Sequence, residues 1–182
     1  MPKTQVLPVF FDLEMSGLNA DYARILCACV KPYNMPAEVY RFDETKVAKK
    51  EPWNDREVAV WIRDALEGTY QIYGYNSVQF DLKFLNSRLL KHRERPLKQP
   101  LHKDLLYVAK NTFCLSSNRL ATVQEFLGLE TEKTRIDGEH WNRATAGHKP
   151  SMDYIVEHCQ RDVGVLEELF EMLVPFIGVI YR

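Results

Sequence analysis

The run VLPVFFDLE at residues 6–14 is the segment that most narrows what this chain can fold into. At a period of two it is apolar on both faces, with Leu7, Val9, Phe11 and Leu13 on one and Val6 and Phe10 on the other. A strand apolar on both faces belongs inside a sheet that is covered on either side. The line of Val6 and Phe10 then runs into Asp12 and Glu14, which leave the strand on that same face. An ionised carboxylate held out of water costs several kcal/mol unless something positive meets it. The segment therefore predicts a central strand and, at its end, a demand for positive charge.

The rest of the pattern supplies the layers. Residues 24–32, 37–42 and 71–75 read as further strands, the first two forming a meander with the opening strand, turned at Ser16-Gly17-Leu18-Asn19 and between Pro32 and Pro36. Residues 43–54 read as a polar loop. Helical stripes cover 57–66 and 80–90. Asp104 is placed to cap LLYVAK, and Ser116 or Ser117 to cap RLATVQEFL before Gly128 ends it. Residues 130–150 read as a polar loop with a lone aromatic, Trp141, and Ser151 as the cap of a long helix reaching about Leu173. Strands first, then mostly helices with one more strand, predict an α/β fold with a central mixed β-sheet flanked by α-helices. At 182 residues, with no repeat and no break in composition, one domain spanning 1–182 is expected.

No stretch approaches the ~18 apolar residues of a membrane span, and the N-terminus has no signal-peptide pattern. The expected location is cytoplasmic, with no membrane partner. Cys27, Cys29, Cys114 and Cys159 have no metal-ligand spacing and read as reduced thiols, Cys27 and Cys29 sharing one strand face. Net charge is −1, but residues 83–110 carry eight Lys/Arg against Glu94 and Asp104, a local surplus of six. Such a stretch suits either a grip on a phosphate backbone or a solvated helix and loop face.

Two further acids stand out. On the long helix, Ile155, Cys159, Val163, Leu166, Leu169, Phe170 and Leu173 form the core stripe, and at 100° per residue Asp162 falls inside it. His158 lies one turn earlier at the edge of the same face, where an imidazole could take a proton from attacking water. Asp81 sits in the first turn of its helix, where the helix dipole alone would favour an acid. With no matching set of core cations nearby in sequence, divalent metal is the economical partner for the four carboxylates, and metal held by carboxylates points to phosphate chemistry.

Three segments in order, FDLEMSGL, GYNSVQFDLKFL and HCQRDVGVLEELF, resemble the exonuclease motifs of the DnaQ-like (DEDD) 3′–5′ exonucleases of the ribonuclease H-like superfamily. The resemblance spans about residues 6–173. It matches Asp12 and Glu14 to the first motif, Gly74, Asn76, Asp81 and Leu85 to the second, and Asp162 to the third. One branch of the family has a tyrosine four residues before the last aspartate, another a histidine five before. Here His158 is four before and Glu157 five before, so the chain is nearest the tyrosine (DEDDy) branch in spacing but carries histidine. The second motif also resembles those of family B polymerase proofreading domains, and DLEMSGL resembles the opening of oligoribonucleases.

The resemblance implies a ribonuclease H-like fold and hydrolysis of single-stranded DNA or RNA from the 3′ end to nucleoside 5′-monophosphates. It implies two Mg²⁺ or Mn²⁺ ions, with Asp12 bridging, Glu14 and Asp162 on the first ion, and Asp81 on the second. His158 is the general base in this reading, with Tyr154 and His148 as alternatives. Met15, Leu18, Asn76 and Phe80 would position the terminal nucleotide, although Met15 and Phe80 read equally as packing. An endonuclease of the same superfamily and a non-catalytic module binding nucleic acid or a polymerase are the rival readings. The apolar tail FIGVIY (176–181) has no assigned role in any of them.

Overall fold

The structure, a computed structural model, describes residues 7–98, 101–131 and 137–177. Strand β1 (Val9–Met15) is central in a five-stranded sheet of order β3-β2-β1-β4-β5. It runs antiparallel to β2 (Ile25–Pro32), pairing Asp12 with Cys29 and Glu14 with Cys27, and parallel to β4 (Gln71–Gly74) through Val9–Ile72 and Phe10–Tyr73. Strand β3 (Glu38–Arg41) extends the β2 side, and β5 (Leu101–Asp104) lies parallel to β4. The sheet is mixed, as the pattern predicts.

The two apolar faces of β1 each find a cover. Val9, Phe11, Leu13 and Met15 pack with Val58, Ile62 and Leu66 of α1 (Arg56–Glu67) and with Leu82, Leu85 and Leu89 of α2 (Asp81–Lys91). Phe10 joins Cys27, Cys29 and Tyr73 on the other face, under α3 (Leu105–Thr112) and α6 (Lys149–Leu173). The stripe Ile155, Cys159, Val163, Leu166, Leu169 and Leu173 is fully buried there. This burial, at about 25 cal/mol per Å² of apolar surface, is the main force holding both layers on the sheet. Helix α4 (Leu120–Leu127) ends at Gly128, whose φ of +64° is the left-handed stop that glycine tolerates best.

Several local expectations change. Residues 101–104 form an unpredicted strand, because LHKD is an edge strand held by its backbone, with Leu101 and Lys103 exposed. The expected loop 130–150 contains α5 (Gly138–Thr145), capped by Asp137, whose carboxylate accepts from the His140 N–H at 2.9 Å. Its residues 132–136 lie outside the described residues. Ser151 is not a cap, since α6 starts earlier at Lys149, with Pro150 in its first turn. The Ser151 hydroxyl is instead shared by the His148 and His140 rings. Ser116 and Ser117 are not caps of α4 either: Arg119 holds that position, with its N–H donating to Ser117 Oγ. Asp104 caps α3 as expected, accepting from the Leu106 N–H. Of the tail, Phe176 and Ile177 pack against the α6-side core, and 178–181 lie outside the described residues, as does Val6 of the first strand. Among the described residues no helix is long and apolar enough to cross a membrane.

Candidate active site

At the end of β1, Asp12 and Glu14 turn toward α6. One oxygen of each lies within 4.8 Å of the other and of Cys159 Sγ, whose thiol donates to the Asp12 carbonyl at 3.6 Å. His158 and Asp162 come from the same helix face. His158 Nε2 sits 3.8 Å from Glu14 Oε1 and 3.7 Å from Asp162 Oδ2. Glu14, His158 and Asp162 are all buried.

Asp81 arrives from the opposite layer. Its Oδ1 accepts the Leu13 N–H at 3.3 Å, which sets the carboxylate against the β1 backbone. The β4–α2 turn delivers it there. A Cβ on Gly74 would fall 2.4 Å from Ser77 Oγ, so only glycine lets the turn close this tightly. Asn76 follows with φ of +59°, and Asp104 clasps the turn by accepting from the Asn76 N–H at 2.8 Å and the Val78 N–H at 3.0 Å.

Electrostatics set this cluster apart. Burial pushes the Asp12 carboxyl well above its usual range, and the carboxylates of Asp81 and Asp162 push it further. Glu14 is raised in the same way, by burial first and by Asp12 second. Asp81 is raised to about 7, mainly by burial, with its backbone hydrogen bonds opposing the shift. Burial also raises the Cys159 thiol, and its contacts with Cys27 and Cys29 add to this. Carboxylates that repel one another, buried along a central strand, are an oxygen-rich donor set that a divalent cation relieves, so the residues present fit a metal.

A cavity of about 270 Å³ opens beside Glu14, walled by Met15, Ser16, Leu18, Phe80 and Trp141. A larger groove of about 650 Å³ shares Leu18 and Phe80 with it and carries Lys83 and Lys91 along α2. Leu18 is 79% exposed, while Met15 is 7% exposed and also belongs to the core under α1 and α2. Phe80 packs against that same core. Asn76 engages the site through its backbone, its side chain being exposed in the turn. Tyr154 stacks on His140 at 4.8 Å, His148 bonds Ser151, and Glu157 pairs with Arg161.

The basic stretch loses one member: Arg88 is 1% exposed and bound to Asp55, so it does not face outward to meet phosphate, whereas Arg95 is exposed while paired with Glu67 and Asp64. Three residues at or near the site were not singled out from sequence. Cys159 reads as core because it lies in the apolar stripe, and Asp104 reads as a cap, which it also is. Trp141 lies in a segment whose polarity conceals a helix.

A family model described as the RNase_H superfamily matches residues 9–174. Among curated proteins none matches the sequence significantly. Among solved structures the chain is similar to the family B DNA polymerase of the hyperthermophilic archaeon Pyrobaculum calidifontis, with a TM-score of 0.74 and 20% identity. That similarity covers 94% of this chain and 25% of the polymerase, so the chain spans about a quarter of the polymerase's length. At this identity the likeness concerns the fold, which is RNase H-like.

Proposed function

The chain belongs to the RNase H superfamily, and from that premise we propose that it is a metal-dependent 3′–5′ exonuclease of the DEDD type. In this reading it hydrolyses single-stranded DNA or RNA from the 3′ end to nucleoside 5′-monophosphates. The observation that carries the reading is the meeting of Asp12, Glu14, Asp81 and Asp162, from a strand and two helices, with a histidine within 4 Å of two of them.

Asp12, Glu14 and Asp162 would hold one divalent ion, Mg²⁺ or Mn²⁺, and Asp81 with Asp12 would serve a second. Bound there, the ions supply Lewis-acid stabilisation of the phosphodiester and of the departing 3′ oxygen. His158 Nε2 takes the proton of the attacking water. Glu14 and Asp162, at 3.8 and 3.7 Å, orient the ring. The water oxygen bonds to phosphorus as the P–O3′ bond breaks, the terminal residue leaves as a 5′-monophosphate, and the departing oxygen takes a proton from solvent to become the new 3′-hydroxyl. Upstream phosphates follow the groove past Lys83 and Lys91, both exposed. The small cavity beside Glu14 favours a single terminal residue over a duplex.

Digestion of 5′-labelled single-stranded DNA and RNA of equal sequence, with Mg²⁺, Mn²⁺ or EDTA, tests this. A metal-dependent ladder shortening from the 3′ end is expected. Internal cuts would replace the reading with an endonuclease, and binding without cleavage would replace it with a non-catalytic module.

A further inference from the structure

Trp141 belongs to no motif, yet it forms one wall of the cavity whose other walls are the Glu14–Leu18 segment and Phe80. At about 270 Å³ the cavity falls just below the ~300–1,000 Å³ of drug-sized ligand pockets, which suits one ring-bearing group. Its position next to Glu14 means that such a group would be tethered to whatever the carboxylates hold. We propose that Trp141 is the stacking platform for the 3′-terminal nucleobase, an assignment that rests on the exonuclease reading and adds its base-binding wall.

The support of α5 argues that the wall is built in place. At its start, Asp137 caps the helix, and the hydroxyl of Ser151, fully buried on α6, lies within hydrogen-bond distance of His140 Nδ1 at 3.2 Å and His148 Nδ1 at 2.9 Å. At its end, Arg24 Nη2 donates to the Thr145 carbonyl at 2.7 Å, a cation on a helix C-terminus. Arg24 is 3% exposed, with its guanidinium over the Phe42 and Trp53 rings at 4.6 and 5.0 Å. Burying an arginine is costly, and this one ties down an eight-residue surface helix. The same residue fixes the facing wall, since the Arg24 N–H donates to Ser16 Oγ and the Ser16 N–H donates to the Arg24 carbonyl, both at 3.0 Å. One buried side chain and its backbone thus hold both sides of the cavity in register. A half-buried indole at such a wall has the flat apolar face on which any base can stack.

The test is a cycle between protein and strand end. Short 5′-labelled oligonucleotides with a phosphorothioate last linkage carry either a 3′-terminal thymine or an abasic 3′ residue. Their affinities are measured by anisotropy for wild type, W141F and W141L. Removing the base should weaken wild-type binding about 5- to 150-fold. W141L should bind both ends with equal, reduced affinity, and W141F should recover most of the difference. The same factor in wild type and W141L would overturn the proposal. A second readout needs no substitution: a thymine end should quench the intrinsic tryptophan fluorescence of the wild type and an abasic end should not, and equal quenching would also overturn it. The digestion ladder separates the two ideas. A ladder without base coupling removes the platform alone, and coupling without a ladder leaves a base-binding wall in a protein that does not cut.

Discussion

Two groups of buried charge lie a few residues apart in this fold, and they are resolved in opposite ways. Asp55, fully buried on the α1 side, accepts the Ile25 N–H at 2.7 Å, Arg88 through Nε and Nη2, and His92 Nε2 at 2.6 Å. Arg88 also donates to the Ala20 and Trp53 carbonyls. That carboxylate is answered entirely from within the chain. On the other face, Asp12 and Glu14 are pressed first by burial and then by further acids. A buried charge is therefore not in itself a mark of function. What distinguishes a structural carboxylate from a working one is whether its countercharge is encoded in the chain.

This contrast can be broken by removing one acid from each group. In the proposed reading D12N deletes a metal ligand but also relieves repulsion, so metal-dependent turnover should fall about 10³-fold or more. The melting temperature of the metal-free protein should stay level or rise. Unfolding of D12N would break the contrast, because it would make Asp12 structural. D55N should do the reverse. It leaves Arg88 buried without its countercharge and should cost about 3–5 kcal/mol in denaturant titrations, while each molecule that remains folded keeps its activity.

The smallest effect concerns pH. Asp81, Asp12 and Glu14 have folded-state pKa values raised above their unfolded values. Their contribution to stability is thus complete below the unfolded pKa, near 4, and is lost as pH rises, through about 7 for Asp81. Metal-free protein should melt at lower temperature at pH 8 than at pH 5. D81N should shrink the corresponding difference in unfolding free energy by about 1–3 kcal/mol, and Mg²⁺ or Mn²⁺ should restore the wild type at the higher pH. A melting temperature that rises from pH 5 to 8 without metal would contradict the electrostatic account.

What could be read from the sequence follows how each residue signals its place. The central strand was legible because apolar residues on both faces of VLPVFF allow little else, and Asp162 because a carboxylate inside an apolar helical stripe is a conspicuous exception. Asp81 needed its motif, since the first turn of a helix accepts an acid for ordinary reasons. Strand β5 and helix α5 were hidden because tertiary contacts, not composition, stabilise them: β5 is an edge strand paired through its backbone, and α5 rests on side chains from elsewhere, Ser151 and Arg24. Arg88 misled for a related reason, as a count of charges along 83–110 cannot tell a solvated lysine from an arginine locked to Asp55.

The acids also carry a consequence for time. Asp12 lies near one end of the described chain and Asp162 near the other, and they meet only after the sheet has formed and α6 has docked across it. Contacts so distant in sequence close late and slowly compared with those inside a helix or hairpin. A partly folded chain can own its central strand and still have nothing with which to cut. Recovery of activity during refolding should lag the return of helical signal, making turnover a clock for the last step of assembly.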